Sequence, residues 1–207
     1  MRIGTAVAAV VLSGAGVFGL VACTGEPAED ATPVIAPGRP GEVAATLSEG
    51  AAVPENPPNE ADLEYVQMMI VHHGQALEMT ALAPERASHE TVKGLASRIA
   101  DTQGPEVEAM KIWQNQRGGP HAAHGSHDHS TMPGMASAEQ LAQLRAASGT
   151  DFDRLFVQLM TTHHEGAIQM ANEVLAKGST EYVEEMAADV IATQSDEINR
   201  MSTLDLG

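Results

Sequence analysis

The chain has 207 residues, with 28 Asp and Glu against 11 Lys and Arg, nine His, eleven Met and a single Cys. A formal charge of −17 repels phosphate backbones, which excludes nucleic-acid binding through a basic surface and makes cations the natural partners. One Cys permits neither an intramolecular disulfide framework nor a Cys-rich zinc or iron–sulfur centre, so any metal must be held by His, Met or carboxylate.

Residues 1–22 begin with Met1-Arg2 and run through an apolar stretch to Leu20-Val21-Ala22-Cys23. This pattern resembles a bacterial lipoprotein signal peptide. The resemblance implies a lipid on Cys23 and a mature chain anchored to the membrane outside the cytoplasm. An uncleaved span is the alternative, because the apolar stretch is near the roughly 20 residues a bilayer crossing needs. Residues 23–58 are rich in Pro, Gly, Ala and acidic side chains and read as a disordered tether. The folded domain is expected over residues 59–207.

An internal duplication organises that domain. Asp62 to His73 aligns with Asp153 to His164 at an offset of 91, and the same offset pairs Gln103 with Gln194, Glu106 with Glu197 and Met110 with Met201. Copy one covers 59–117, copy two 137–207, and residues 118–136 link them. Each copy shows two helical periods. In copy one, Asn59 caps a helix reaching about Leu82 with Pro84 helping to end it, and Ser88 caps a second reaching Gln116, which Gly104-Pro105 should kink. Copy two opens with a short helix from Ser137, where Gln140 completes a capping box. A Thr150/Asp153 start, a Gly178 stop and a last helix from about Thr180 to Leu204 follow. The expected fold is all-α: a four-helix bundle of two duplicated hairpins plus a short extra helix.

At about 100° per residue, Met69, His72, His73 and Met79 share one helix face, as do Met160, His163, His164 and Met170 in copy two. On the partner helices Gln103, Glu106 and Met110, and Gln194, Glu197 and Met201, form a second face. Burying such groups is costly unless they pair with one another or bind something. A Met stripe alone fits ordinary core packing, and a satisfied polar network would also account for the His, Gln and Glu. The duplicated set favours a metal held by these His, Met and Glu residues. The linker adds His121, His124, His127, His129, Met132 and Met135 in a Gly/Ser/Pro context, a composition suited to metal capture. Thioethers suit Cu(I) and imidazoles Cu(II), so copper is the expected ion, with zinc an option for the His-rich linker.

The strings Ser137-Ala-Glu-Gln-Leu, Asp151-Phe152-Asp153-Arg154-Leu-Phe, Met160-Thr-Thr-His163-His164-Glu-Gly166-Ala167-Ile168-Gln-Met170 and Gln194-Ser-Asp-Glu197 closely resemble the domain of unknown function 305 family. The resemblance spans about Asn59 to Leu204 and implies a ferritin-like helical, usually exported protein, with some members associated with copper. Copy one departs from it where Gly74-Gln75 stands opposite Glu165-Gly166.

The function expected from these features is copper sequestration or delivery by a lipid-anchored extracytoplasmic protein, with metal ions, the membrane through Cys23 and an unidentified envelope protein as partners. A ferritin-like di-metal oxidase is a second reading, weakened because no Glu-x-x-His occurs on the His-His helices. A non-catalytic structural or partner-binding module is the third.

Overall fold

The computed structural model describes residues 34–36, 43, 45–47, 56–117 and 132–207. The signal segment 1–22, Cys23 with its expected lipid, and the linker residues His121, His124, His127 and His129 lie outside the described residues. Within the stretch read as a tether, β1 (Val34–Ala36) pairs antiparallel with β2 (Ala45–Leu47), Ile35 facing Thr46 in the register. This short ladder belongs to a unit separate from residues 54–207.

The second unit is helical. α1 (Glu60–Thr80) begins at a capping box: the Asp62 amide donates to the Asn59 side chain (3.1 Å), and the Asn59 amide donates to the Asp62 carboxylate (2.9 Å). It stops at Thr80, earlier than expected, and Pro84 sits in the first turn of a separate short helix, α2 (Ala83–Arg86), where its missing N–H costs nothing. α3 (Glu90–Gln116) continues through Pro105 to the expected end. α4 (Ala138–Ala146) carries both bonds of the expected Ser137/Gln140 box. α5 (Gly149–Lys177) and α6 (Glu181–Ser202) complete the second copy.

Two capping expectations fail for a shared reason. His89, and not Ser88, is the N-cap of α3, and Asp153 does not close a box at the start of α5. Instead the buried Asp153 carboxylate accepts from the Ser88 amide (3.2 Å), the Ser88 hydroxyl (2.5 Å) and the His89 amide (3.0 Å). At the offset of 91, the buried Asp62 carboxylate accepts from the Ser179 amide (3.0 Å) and hydroxyl (2.8 Å). Each copy therefore caps the second helix of the other, a reciprocal cross-brace in which a carboxylate meets the positive end of a helix.

α1 packs on α3, α5 on α6, and the two His-bearing helices α1 and α5 on each other. The apolar core falls into two clusters. One holds Met79, Met160 and Met201 with Leu95, Ile99, Phe152 and Phe156; the other holds Met170, Met69 and Met110 with Tyr65, Val66 and Trp113. The two Met triplets are images of one another under the 91-residue offset, each mixing residues of both copies. Burial of side chains this size stabilises by about 1.5–3 kcal/mol each, so the clusters carry the bundle and hold its middle layer in place. No helix among the described residues is long and apolar enough to cross a membrane.

Candidate functional site

Between the two apolar clusters lies a polar layer drawn from all four long helices. His72, His73, His163 and His164 are completely buried, and Gln103, Gln194 and Glu197 nearly so. The His72 and His163 rings lie face to face at 3.7 Å between centroids, tilted by 31°. His73 Nε2 donates to Glu106 at 2.8 Å and His164 Nε2 to Glu197 at 2.6 Å, two equivalent dyads spanning 33 residues each. His163 Nε2 donates to the His72 carbonyl at 2.9 Å, and His72 Nε2 to the Pro133 carbonyl at 3.0 Å.

These acceptors decide the tautomers. A carbonyl or carboxylate oxygen can only accept, so every Nε2 carries the proton, and on a neutral ring Nδ1 is left as a lone pair. All four Nδ1 atoms are buried without a hydrogen-bond partner, as are both amide atoms of Gln103 and of Gln194. Burial, opposed by the Pro133 carbonyl and reinforced by the neighbouring imidazoles His73 and His164, holds His72 down at about 3. Burial, with His72, His164 and His73 next, keeps His163 well below the usual histidine range. Both rings are thus neutral at physiological pH. Tyr65, whose hydroxyl is also unpartnered, is pushed above the usual phenol value by burial first and the Glu106 carboxylate second. Imidazoles fixed through one nitrogen by carboxylates and main-chain carbonyls, with the other nitrogen free, have the orientation that metal-ligating histidines require.

All six repeat-matched Met residues are buried, and they lie in the flanking clusters. The Met201 sulfur accepts from the Thr161 hydroxyl at 3.5 Å. Among the described residues no three His, Cys, Asp or Glu side chains are grouped closely enough to hold a metal by themselves. Thioethers, Gln oxygens or a side-chain rearrangement would have to complete a coordination shell.

The end of the linker lies directly on this layer, which the sequence did not indicate. Besides the Pro133 carbonyl on His72, Gln75 clamps Ala136 by two bonds: it accepts from the Ala136 amide (2.7 Å) and donates to the Ala136 carbonyl (3.0 Å). Gly134 has a φ of 78°, and a Cβ there would strike the Thr162 and His163 carbonyls; a Cβ on Gly166 would strike the Pro133 carbonyl. Gly166 and Gln75 occupy the same position in the two copies. One makes room for the strap and the other grips it, which accounts for the departure of copy one from the repeat. Met132 is buried with the strap, and Met135 is half-buried. Gly166→Ala should therefore dislodge residues 133–134 and cost about 1–3 kcal/mol by overpacking. Urea denaturation checks the loss, and faster hydrogen exchange at the Ala136 amide checks its cause.

The family described as Domain of unknown function (DUF305) matches residues 62–205. The chain belongs to that family. A DUF305 protein from Streptomyces coelicolor is 31% identical, with a TM-score of 0.63 over 68% of this chain and 89% of that one. A DUF305 fragment from Deinococcus radiodurans is 33% identical, with a TM-score of 0.64 over 71% and 96%. CopM in its Cu(I)-bound form is 30% identical, with a TM-score of 0.56 over 68% and 92%, and CopM structures in Cu(II)- and Ag-bound forms are also similar. No curated protein matches the chain. The DUF305 member thus shares its helical fold with a protein that has been seen holding copper and silver.

Proposed function

We propose that this DUF305 protein binds copper outside the cytoplasm and sequesters or hands on the ion. The observation that supports this best is the set of four buried imidazoles whose Nε2 atoms are all engaged and whose Nδ1 atoms have no partner. Leaving a buried acceptor unpaired costs about 1–3 kcal/mol, and bound metal would relieve several such penalties together. The flanking Met triplets supply soft donors that suit Cu(I), and CopM binds Cu(I), Cu(II) and Ag. The option of zinc gains no support from these neighbours.

An extracytoplasmic setting agrees with the Leu20-Val21-Ala22-Cys23 pattern and with the description of the Streptomyces coelicolor neighbour as a secreted protein. Lipid attachment at Cys23 and capture of metal by His121, His124, His127 and His129, with Met132 and Met135 passing it inward, are parts of the same proposal. A carboxylate-bridged di-metal oxidase fits less well, because Glu106 and Glu197 each bond the His of their own copy and line separate clefts.

Copper titration of the purified full chain, with affinity read by chelator competition, tests the reading. Replacing His72, His73, His163 and His164 with Asn should weaken Cu binding by at least about tenfold. The volume-conserving set Met69→Leu, Met110→Leu and Met170→Leu, which is expected to fold, should selectively weaken Cu(I). Unchanged affinity in both sets would remove copper from the bundle. Replacing the four linker His residues with Asn, which leaves the strap at 132–136 intact, reads the linker contribution as a loss of stoichiometry.

A further inference from the structure

The duplication makes two His–Glu dyads, and each glutamate lines a surface cleft. The one at Glu106 is walled by Ala109, Tyr182, Glu185, Met186 and Asp189, and the one at Glu197 by Arg98, Asp101, Asp196 and Arg200 among others. The offset of 91 places Asp189 opposite Arg98, Glu185 opposite Gly94, and Ala109 opposite Arg200. One pair of equivalent positions thus has opposite charge, and in the other two a charged residue stands opposite a neutral one. Both clefts hold three carboxylates, but only the second holds guanidinium groups, one of which, on Arg200, pairs with Asp196 at 2.8 Å.

We infer that the Glu106 cleft is the mouth through which cations reach the polar layer, and that Glu185 and Asp189 are the residues that make it so. The inference rests on the copper reading and assigns its direction of access. A group of carboxylates alone would be a solvated acidic face. What distinguishes this one is the residue behind it: Glu106 is about a quarter exposed at the cleft and bonds the fully buried His73, whose Nδ1 is unpartnered. The copy-two glutamate is far less exposed, at 9%. No three carboxylates among the described residues are close enough to chelate an ion, so the cleft attracts a cation and lets it go. Its field acts on the rate of arrival, because like-signed charges lining a cleft concentrate counter-ions there, while guanidinium groups at the other cleft oppose the same ion. The Met186 thioether in the wall gives a soft ion a passing contact.

The chain contains one Trp, and Trp113 stacks on Tyr182 in the wall of this cleft with ring centroids 6.1 Å apart. Stopped-flow quenching of Trp113, which also packs in the cluster of Met69, Met110 and Met170, reports the rate at which Cu(II) loads the bundle, and the variants below assign that rate to a cleft. The full chain is used with His121, His124, His127 and His129 changed to Asn, so that the linker does not compete. Glu185→Gln with Asp189→Asn should slow association about fivefold at low ionic strength, with the difference vanishing in high salt and the equilibrium stoichiometry unchanged. Arg98→Gln with Arg200→Gln should leave the rate within error of the parent, because the Glu197 side chain at that cleft is nearly buried and gives the ion no way in even when the opposing charge is gone. The inference is overturned if the acidic pair loads at the parent rate in low salt, or if removing the two arginines accelerates loading. Failure of the parent to bind Cu(II) at all would sink the copper reading, which is a different result from an altered rate.

Discussion

Replacing Asp62 or Asp153 with Ala is expected to destabilise the bundle by about 2–4 kcal/mol each, although neither residue touches the polar layer. Each carboxylate is buried and accepts from the amide and hydroxyl of a serine in the other copy, Ser179 for Asp62 and Ser88 for Asp153. Truncation removes charge-assisted bonds and strands the amides that open α6 and α3. Exposed ion pairs on the same helices, such as Lys93 with Glu90 or Lys111 with Glu108, are expected to contribute under about 1 kcal/mol. The two brace sites adjoin different apolar clusters and share no partner, so the double variant should lose close to the sum. Urea unfolding of the two single variants and the double variant checks this. Asp→Asn separates charge from shape: it keeps one acceptor oxygen and should recover part of the loss. A cost below about 1 kcal/mol for Asp153→Ala would mean that the brace is a consequence of packing and not a cause of it.

The cross-brace also marks where sequence reasoning stops. The helices, their order and the two duplicated hairpins were legible, because an apolar period and a 91-residue offset are properties of the chain itself. The family assignment, carried by strings such as Met160-Thr-Thr-His163-His164, was legible for the same reason and agrees with the match over 62–205. Ser88 and Asp153 were assigned the wrong partners because capping rules consider only residues three or four apart, whereas these two meet across 65 residues. The strap was invisible for a related reason. The sequence marks Gln75 opposite Gly166 only as a break in the repeat, and only the meeting of both with residues 133–136 gives that break a role. Grouping the repeated His, Gln and Glu into one layer followed from helical spacing. Which nitrogen of each ring is free did not, because that depends on acceptors such as the Pro133 carbonyl, supplied by a different part of the chain.

Lowering the pH of the metal-free protein from 7 to 5 is expected to remove about 4 kcal/mol of stability through His72 and His163, before most of the carboxylates, near 4 in the unfolded chain, have titrated. The sign follows from proton counts. Burial holds His72 at about 3 and His163 well below the usual range, so neither ring binds a proton in the folded state across this window. In the unfolded chain both titrate near 6.5. Below that value the unfolded state binds more protons, and stability falls with pH by about 1.4 kcal/mol per unit for each fully shifted ring. The contribution is intact above pH 6.5 and decays until the folded-state values are reached. His72→Asn with His163→Asn should flatten the slope between pH 6.5 and 5 whatever it does to stability at pH 7. Cu(I) loading should raise stability by a nearly constant amount across this window and leave the slope unchanged, because neither ring binds a proton in the folded state with or without the ion. A slope that persists in the double variant would place the titrating groups elsewhere and would count against a neutral imidazole pair at the centre of the bundle.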